Sequence, residues 1–378
     1  MFTHITEIAA IAVFAALCIF IILQLAFHLL YFIPFIKYKL PKNADNNSEG
    51  VSIIISARAE YDNLNILIPA LLKQQYPNFE IIIIDDASWD HTKDLIEAFV
   101  KSNNNIKGVY LTEDMKKHTL GKKLALTLGI KAASNEILLF TDADCVPASE
   151  FWIQKMANIY LKNPNTEIVL GYSPFNRKKT TINLLSRIDN LWTALLYFSF
   201  ALKKNPYMAV GRNLSYKKSL FMRTKGFANH LHVLSGDDDL FIQDASNNLN
   251  TDICLHPNAF VFSESKKYFS DWMVQKTRHH HVGRYYKSNH KRSLGFQYAI
   301  HFLFWMSVFA NFLFYSNIIW LTIALCLYWT IKTIIIYESF RKFQNSKMAW
   351  ALPIYDFLYF FYNITFGIIS IFHKQKKW

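Results

Sequence analysis

Asp142 and Asp144 alternate with Ala143, so on extended backbone both carboxylates point to the same side. Two carboxylates on one side suit a hard divalent cation. Mg²⁺ or Mn²⁺ takes oxygen ligands, and Mg²⁺ binds through one or two carboxylates plus the phosphates of a substrate. A diphosphate leaving group would complete that site. A solvated loop or an Asx turn would use the same residues without metal. A second acidic cluster, Gly236-Asp237-Asp238-Asp239-Leu240, runs into the apolar Phe241-Ile242 of an expected helix. One Asp there can cap the helix and another can complement its dipole. Three in a row exceed that need. At a ligand site such a cluster raises one carboxylate's pKa and provides a general base for an acceptor hydroxyl.

The elements that must position these groups are legible as alternating patterns between residues 50 and 267. Val51–Ser56, Glu80–Ile84 and Glu136–Phe140 are near-continuous apolar runs, as expected of strands covered on both faces. Asp62–Gln75, Thr92–Lys101 and Lys122–Ala133 carry helical spacing between them. The pattern predicts βαβαβαβ and an open, mostly parallel α/β sheet. Ligands in such sheets sit outside the carboxyl ends of the strands. Arg58 and Glu60 follow the first run, Asp85-Asp86-Ala87-Ser88 the second, and Asp142-Ala143-Asp144 the third. A G-x-G-x-x-G after the first strand and a G-x-x-x-x-G-K-[ST] are both absent, which disfavours a dinucleotide fold and a P-loop; Gly121-Lys122 alone is neither.

The chain has 378 residues, 52% of them hydrophobic, and a net charge of +13. The apolar residues pool at both ends. Ile8–Ile36 lacks Lys, Arg, Asp and Glu and exceeds the roughly 20 residues a spanning helix needs. It is also too long for a signal peptide, and no A-x-A cleavage pattern closes it. Leu294–Tyr315 and Ile318–Tyr337, split by Ser316-Asn317, predict a helical hairpin, and 351–372 is a further apolar segment. Lys37, Lys39 and Lys42 after the first span place the middle of the chain in the cytoplasm, and Lys291, Arg292, Arg341 and Lys347 agree. The last segment has Lys374, Lys376 and Lys377 after it and contains Asp356, and is expected to be re-entrant or interfacial. Lys332 is expected to snorkel. The expected divisions are a first membrane helix in 1–40, a soluble domain in 50–267, an interfacial amphipathic segment in 268–293, the hairpin in 294–337, and the last membrane segment in 351–372. Much of the positive charge is therefore membrane-proximal and does not imply nucleic-acid binding. The run His279-His280-His281 has the wrong spacing for one metal centre and fits a basic-aromatic interfacial helix better. Four Cys are too few for a disulfide framework.

Taken in order, Ser56-Ala57-Arg58-Ala59-Glu60, Ile84-Asp85-Asp86-Ala87-Ser88-Trp89-Asp90, Gly121-Lys122, Thr141-Asp142-Ala143-Asp144, Gly211-Arg212-Asn213 with Tyr216, Gly236-Asp237-Asp238 and Gln275-Lys276-Thr277-Arg278 resemble the membrane-bound family 2 glycosyltransferases, which have a GT-A fold. The resemblance implies a Rossmann-like α/β domain held between transmembrane helices. It also implies inverting transfer of a hexosyl or N-acetylhexosaminyl group from a nucleotide diphosphosugar, UDP-linked by preference, to an acceptor hydroxyl. On that resemblance Asp86 holds the base or ribose with Ala57 and Glu60 nearby, and Lys122 also lies on the donor. Asp144, helped by Asp142, carries Mg²⁺ or Mn²⁺. Asp238 is the general base, with Asp237 its competitor because the acidic run aligns from either its Gly or its Leu. Gln275 and Arg278 match the Q-x-x-R part of a Q-x-x-R-W motif on the diphosphate and acceptor, where Asn213 also belongs.

His279 stands where processive cellulose, hyaluronan and poly-N-acetylglucosamine synthases carry Trp. An imidazole is a smaller, titratable platform for an acceptor sugar than an indole. The expectation is single-sugar transfer onto a lipid-linked or membrane-proximal glycan acceptor at a bacterial inner membrane, with processive synthesis second. A non-catalytic membrane subunit and a transporter are the readings from other classes.

Overall fold

The computed structural model describes residues 2–40, 48–116, 121–233, 235–314 and 318–372. Lys42, Tyr315, Ser316-Asn317 and the lysines at 374, 376 and 377 lie outside the described residues. The chain divides into two compact units, one of Met1–Tyr38 with Tyr286–His373 and one containing Lys39–Tyr285.

The first unit begins with α1 (Phe2–Lys37). The second unit then runs through β1 (Val51–Ala57), α2 (Tyr61–Leu72), β2 (Phe79–Asp85), α3 (Thr92–Ser102), β3 (Ile106–Tyr110), α4 (Lys123–Ala132) and β4 (Ile137–Phe140). There follow β5 (Cys145–Pro147), α5 (Trp152–Ala157), β6 (Ile168–Leu170), α6 (Thr181–Leu202), β7 (Leu214–Lys217), α7 (Lys218–Arg223), α8 (Asp239–Ala245), β8 (Thr251–Ile253), β9 (Val261–Ser263) and α9 (Phe269–Gly283). The main sheet has the order β3-β2-β1-β4-β7-β6-β8, and β5 pairs with β9. Strands β3, β2, β1 and β4 are parallel, whereas β7 is antiparallel to both β4 and β6.

Burial explains the strand sequences. Ile53–Ile55 and Ile81–Ile84 are fully buried because helices cover both faces of the sheet. In α2 the buried Leu64, Leu67, Ile68 and Leu71 follow the i, i+3, i+4, i+7 stripe of a helix laid on a sheet. Strand β3 is implied by the βαβαβαβ order but has no apolar run to locate it, because it is an edge strand: Ile-Lys-Gly-Val-Tyr has one buried residue. The order of strands places neighbours of β1 on opposite sides, β2 reached through α2 and β4 through a later crossover. The crevice outside the carboxyl ends of β1 and β4 is therefore the topological switch point.

The first unit is completed by α10 (Ser288–Phe314), α11 (Ile318–Lys342) and α12 (Leu352–Phe372). Among the described residues, 4 helices are long and apolar enough to cross a membrane, and α12 is one continuous helix. Lys332 does not snorkel. It is 1% exposed, and its ammonium donates to Asp356 Oδ1 at 2.5 Å and to the Tyr328 hydroxyl at 2.9 Å. Tyr328 in turn donates to Gln24 Oε1 at 2.9 Å. The partner carboxylate, one helix away, removes the need to reach water.

Candidate active site

The loops after β1, β2 and β4 converge at the switch point, and main-chain hydrogen bonds lock the first two together. Asp86 N donates to the Ala57 carbonyl at 2.8 Å, and Ala59 N donates to Ser88 Oγ at 2.9 Å. Glu60 N donates to Thr92 Oγ1 at 2.8 Å. Ala59 and Ala87 both take φ 55°, a left-handed turn that ends each strand abruptly and turns the following polar residues over the sheet edge. Asp86 is buried beside this junction. Burial raises the Glu60 carboxyl, opposed by a hydrogen bond from Asn63 and reinforced by the charges of Asp144 and Asp142. An anionic field of that kind draws a cation.

Asp142, Asp144 and Cys145 offer ligand atoms that all lie within 4.8 Å of one another. Burial, with the charges of Asp142 and Asp144, pushes the Cys145 thiol far up, so it stays protonated and donates to Asp144 Oδ1 at 3.3 Å. The ligand set that remains is carboxylate oxygen, which fits a hard cation such as Mg²⁺ or Mn²⁺.

Lys122 joins this pair to the acidic triplet. Its ammonium stands 2.8 Å from Asp142 Oδ1 and 3.3 Å from Asp237 Oδ2. Burial works against its charge, but Asp142, Asp237 and Asp238 hold it firmly as a cation. Burial likewise works against the Asp142 carboxylate, and Lys122, Arg212 and Arg278 hold it low. Arg278 of the Q-x-x-R segment on α9 therefore acts on the same locus as the D-x-D residues. Gln275 is half-buried on that helix, and His279 is exposed.

Asp238 is the N-cap of α8, as one Asp of the triplet was expected to be. Its Oδ1 accepts from Asp239 N at 2.8 Å and its Oδ2 from Gly211 N at 2.8 Å. Burial raises its carboxyl, and the charge of Asp237 raises it further against those hydrogen bonds. A carboxylate with a raised pKa and anchored oxygens can take up a proton without moving.

Asn213 is a correction. It was expected on the diphosphate or acceptor, yet it is fully buried. Its Nδ2 donates to the carbonyls of Tyr172 and Ala259 at 2.8 and 2.7 Å, and its Oδ1 accepts from Trp152 Nε1 at 3.0 Å. The amide ties the turn before β7 to α5, to the segment after β6 and to the 3-10 turn before β9, so its side-chain atoms are engaged within the core.

Residues 52–224 match the family described as Glycosyl transferase family 2. Over that stretch the chain is similar to this family. Poly-beta-1,6-N-acetyl-D-glucosamine synthase from Staphylococcus epidermidis is 31% identical to it over 156 residues, covering 41% of this chain and 36% of the relative. The protein of the same name from Staphylococcus aureus (strain MSSA476) is 30% identical over 162 residues, covering 42% and 38%. The alignment thus spans little more than a third of those relatives. The mannosyltransferase PcManGT from Pyrobaculum calidifontis, solved in complex with GDP-Man and Mn²⁺, superposes with a TM-score of 0.59 at 16% identity, covering 98% of this chain and 100% of that one. It shares the fold, a mostly parallel GT-A sheet with flanking helices.

The acidic triplet and the Q-x-x-R segment lie beyond the matched residues of the family 2 domain. Geometry attaches the triplet: Lys122 reaches Asp237, and Gly211 reaches Asp238. The domain's site also holds residues that sequence reasoning passed over. Arg212 lies over the Phe175 ring at 4.7 Å with Nη1 donating to Ser263 Oγ at 3.0 Å. Lys276, inside the Q-x-x-R segment, forms a buried ion pair with Asp189 of α6 and so fixes α9. A signal for Arg212 was present, since a cation between Gly211 and the core Asn213 must lie near whatever Gly211 approaches.

Proposed function

We propose that the chain is an inverting glycosyltransferase that moves a sugar from a nucleotide diphosphosugar to a hydroxyl of a lipid-linked or membrane-proximal glycan acceptor. The observation that carries this reading is the Lys122 ammonium held between Asp142 of the D-x-D pair and Asp237 of the acidic triplet. It brings a cation-binding carboxylate pair and a base candidate to one place.

Asp144 and Asp142 would hold Mg²⁺ or Mn²⁺, which when bound supplies positive charge for the departing diphosphate. Asp86, Glu60 and the Ala57 main chain receive the nucleoside. Lys122, Arg212 and Arg278 add cationic groups for the phosphates. Asp238 accepts the proton of the acceptor hydroxyl. That oxygen then bonds to the anomeric carbon from the face opposite the diphosphate. The carbon–oxygen bond to the diphosphate breaks, its electron pair leaves with the nucleotide, and the configuration inverts. Gln275 and His279 on α9 flank the acceptor side. The catalytic unit faces the cytoplasm by the charge rule, the spans lie in the inner membrane, and Lys37 and Lys39 mark the inner side of α1.

A UDP-linked N-acetylhexosamine is the favoured donor, since the relatives are named as N-acetylglucosamine polymer synthases. The same names favour processive synthesis as a second reading, against which stands His279 at the position of a platform Trp. Product length on a short acceptor separates the two.

The test is release of UDP or GDP from a panel of nucleotide sugars by the purified full-length protein, with and without Mn²⁺. Metal-dependent release from one donor is expected. No release and no binding across the panel would overturn the reading in favour of a non-catalytic subunit.

A further inference from the structure

Lys123 follows Lys122 directly and does something different. It is 1% exposed, and its ammonium donates to main-chain oxygens of Val233 and Ser235, to the latter at 2.8 Å. Those carbonyls belong to the segment that leads into Gly236 and the acidic triplet. A buried carbonyl needs a donor, and a water or a neutral side chain could supply one. Here the donor is a cation at the first residue of α4, adjacent to a second cation at the N-cap. Two positive charges at a helix N-terminus oppose its dipole. Helix stability therefore does not account for the pair. The acidic triplet does: Asp237 and Asp238 are the charges that favour the Lys123 cation against its burial.

The segment is held on its other side too. Gly236 has φ +84°, and a Cβ there would come within 2.7 Å of Leu240 Cγ and 3.1 Å of Val282 Cγ1 on α9. The turn before the triplet is thus pinned between α4 and α9, while Asp238 is tied to Gly211. Because Lys122 and Lys123 are consecutive in one helical turn, the contact of Lys122 with Asp142 and the tether of Lys123 to residues 233 and 235 form a single rigid unit.

We propose that Lys123 is a positioning residue that sets the distance between the acidic triplet and the D-x-D pair by anchoring the Val233 and Ser235 carbonyls to α4. The proposal rests on the reading of the triplet as the base-bearing segment. Lys123 touches neither donor nor acceptor, and acts through the backbone that carries Asp237 and Asp238.

The experiment compares full-length wild type with Lys123→Met, Lys123→Arg and, as a control, Asp238→Asn. Nucleotide release is followed with UDP-N-acetylglucosamine and GDP-mannose plus Mn²⁺, and hydrogen exchange is measured over residues 235–241. Lys123→Met is expected to lower kcat by about 10- to 100-fold, the scale of an ångström-level misplacement, with donor KM within about threefold of wild type. Its 235–241 amides should exchange faster while those of α3 and β2 do not. Lys123→Arg, which keeps charge and donors, should recover most of kcat. Unchanged kcat and exchange in Lys123→Met, with Asp238→Asn inactive, would overturn the proposal and leave the functional reading standing. An active Asp238→Asn would pass the base role to Asp237, and activity in Asp237→Asn as well would overturn the functional reading instead. If neither donor is turned over, exchange decides: no change at 235–241 in Lys123→Met refutes the tether. General loss of fold in Lys123→Met that Lys123→Arg does not rescue would also refute it.

Discussion

The Gly211 amide donates to Asp238 Oδ2 at 2.8 Å, and a Cβ on Gly211 would stand 3.3 Å from that same oxygen. The residue that fixes the base candidate is thus one that leaves it almost no room. Gly211→Ala must push the carboxylate aside or lose the hydrogen bond. We predict a kcat lower by about 10- to 100-fold with the melting temperature little changed, measured by steady-state nucleotide release and thermal unfolding. Wild-type kcat in the alanine variant would show that the Asp238 position is not critical.

Asp238 has a raised carboxyl, from burial first and the Asp237 charge second. As a base it must be ionised, so kcat/KM rises with pH through a value above the ordinary carboxylate range. Removing the like charge with Asp237→Asn lowers the Asp238 pKa, so the acidic limb should move to lower pH and the variant should keep activity. Asp238→Asn should lose on the order of 10²-fold or more at all pH. If Asp237→Asn is the inactive variant and Asp238→Asn retains the limb, the roles are exchanged.

Asn213→Ala strips partners from the Trp152 indole and from the Tyr172 and Ala259 carbonyls, all in the core. Each orphaned buried group costs about 1–3 kcal/mol. The expected outcome is loss of folded protein, seen as a large fall in melting temperature. A well-folded Asn213→Ala with a selective rise in acceptor KM would contradict the structural role and restore the substrate contact.

In the other unit, Lys332→Met takes from buried Asp356 its ammonium partner and leaves only His301 Nε2 at 3.8 Å, and Asp356→Asn leaves the buried Lys332 without its carboxylate. Breaking a buried pair in this way costs about 3–5 kcal/mol. Both single variants should lose monodisperse protein in detergent, and Lys332→Met with Asp356→Asn together should recover part of it. Equal behaviour of wild type and both single variants on size exclusion would show that the pair does not hold α11 to α12.

The sequence carried the parallel half of the sheet plainly, because β1, β2 and β4 are continuous apolar runs buried on both faces. It did not carry β6, β8 and β9, which are three residues each and exist only through pairing with distant strands. The D-x-D pair and the triplet were legible as acidic clusters at element ends. Their joint engagement by Lys122 was not, nor was the Lys123 tether, whose partners lie 110 and 112 residues away. Motif spacing set Asn213 beside Gly211 and Arg212 but could not show that its amide turns inward. Lys332 was misread for a related reason: its neutralising carboxylate is on another helix, invisible to any rule applied to one segment.

The most direct test of the central claim is nucleotide release by wild type and Asp144→Asn on the same donor across a Mn²⁺ titration, with Mn²⁺ binding followed by electron paramagnetic resonance. The account predicts saturable release in wild type that chelation abolishes, and in Asp144→Asn both weakened Mn²⁺ binding and release lower by at least about 10²-fold. Release from Asp144→Asn equal to wild type, with or without Mn²⁺, would contradict it.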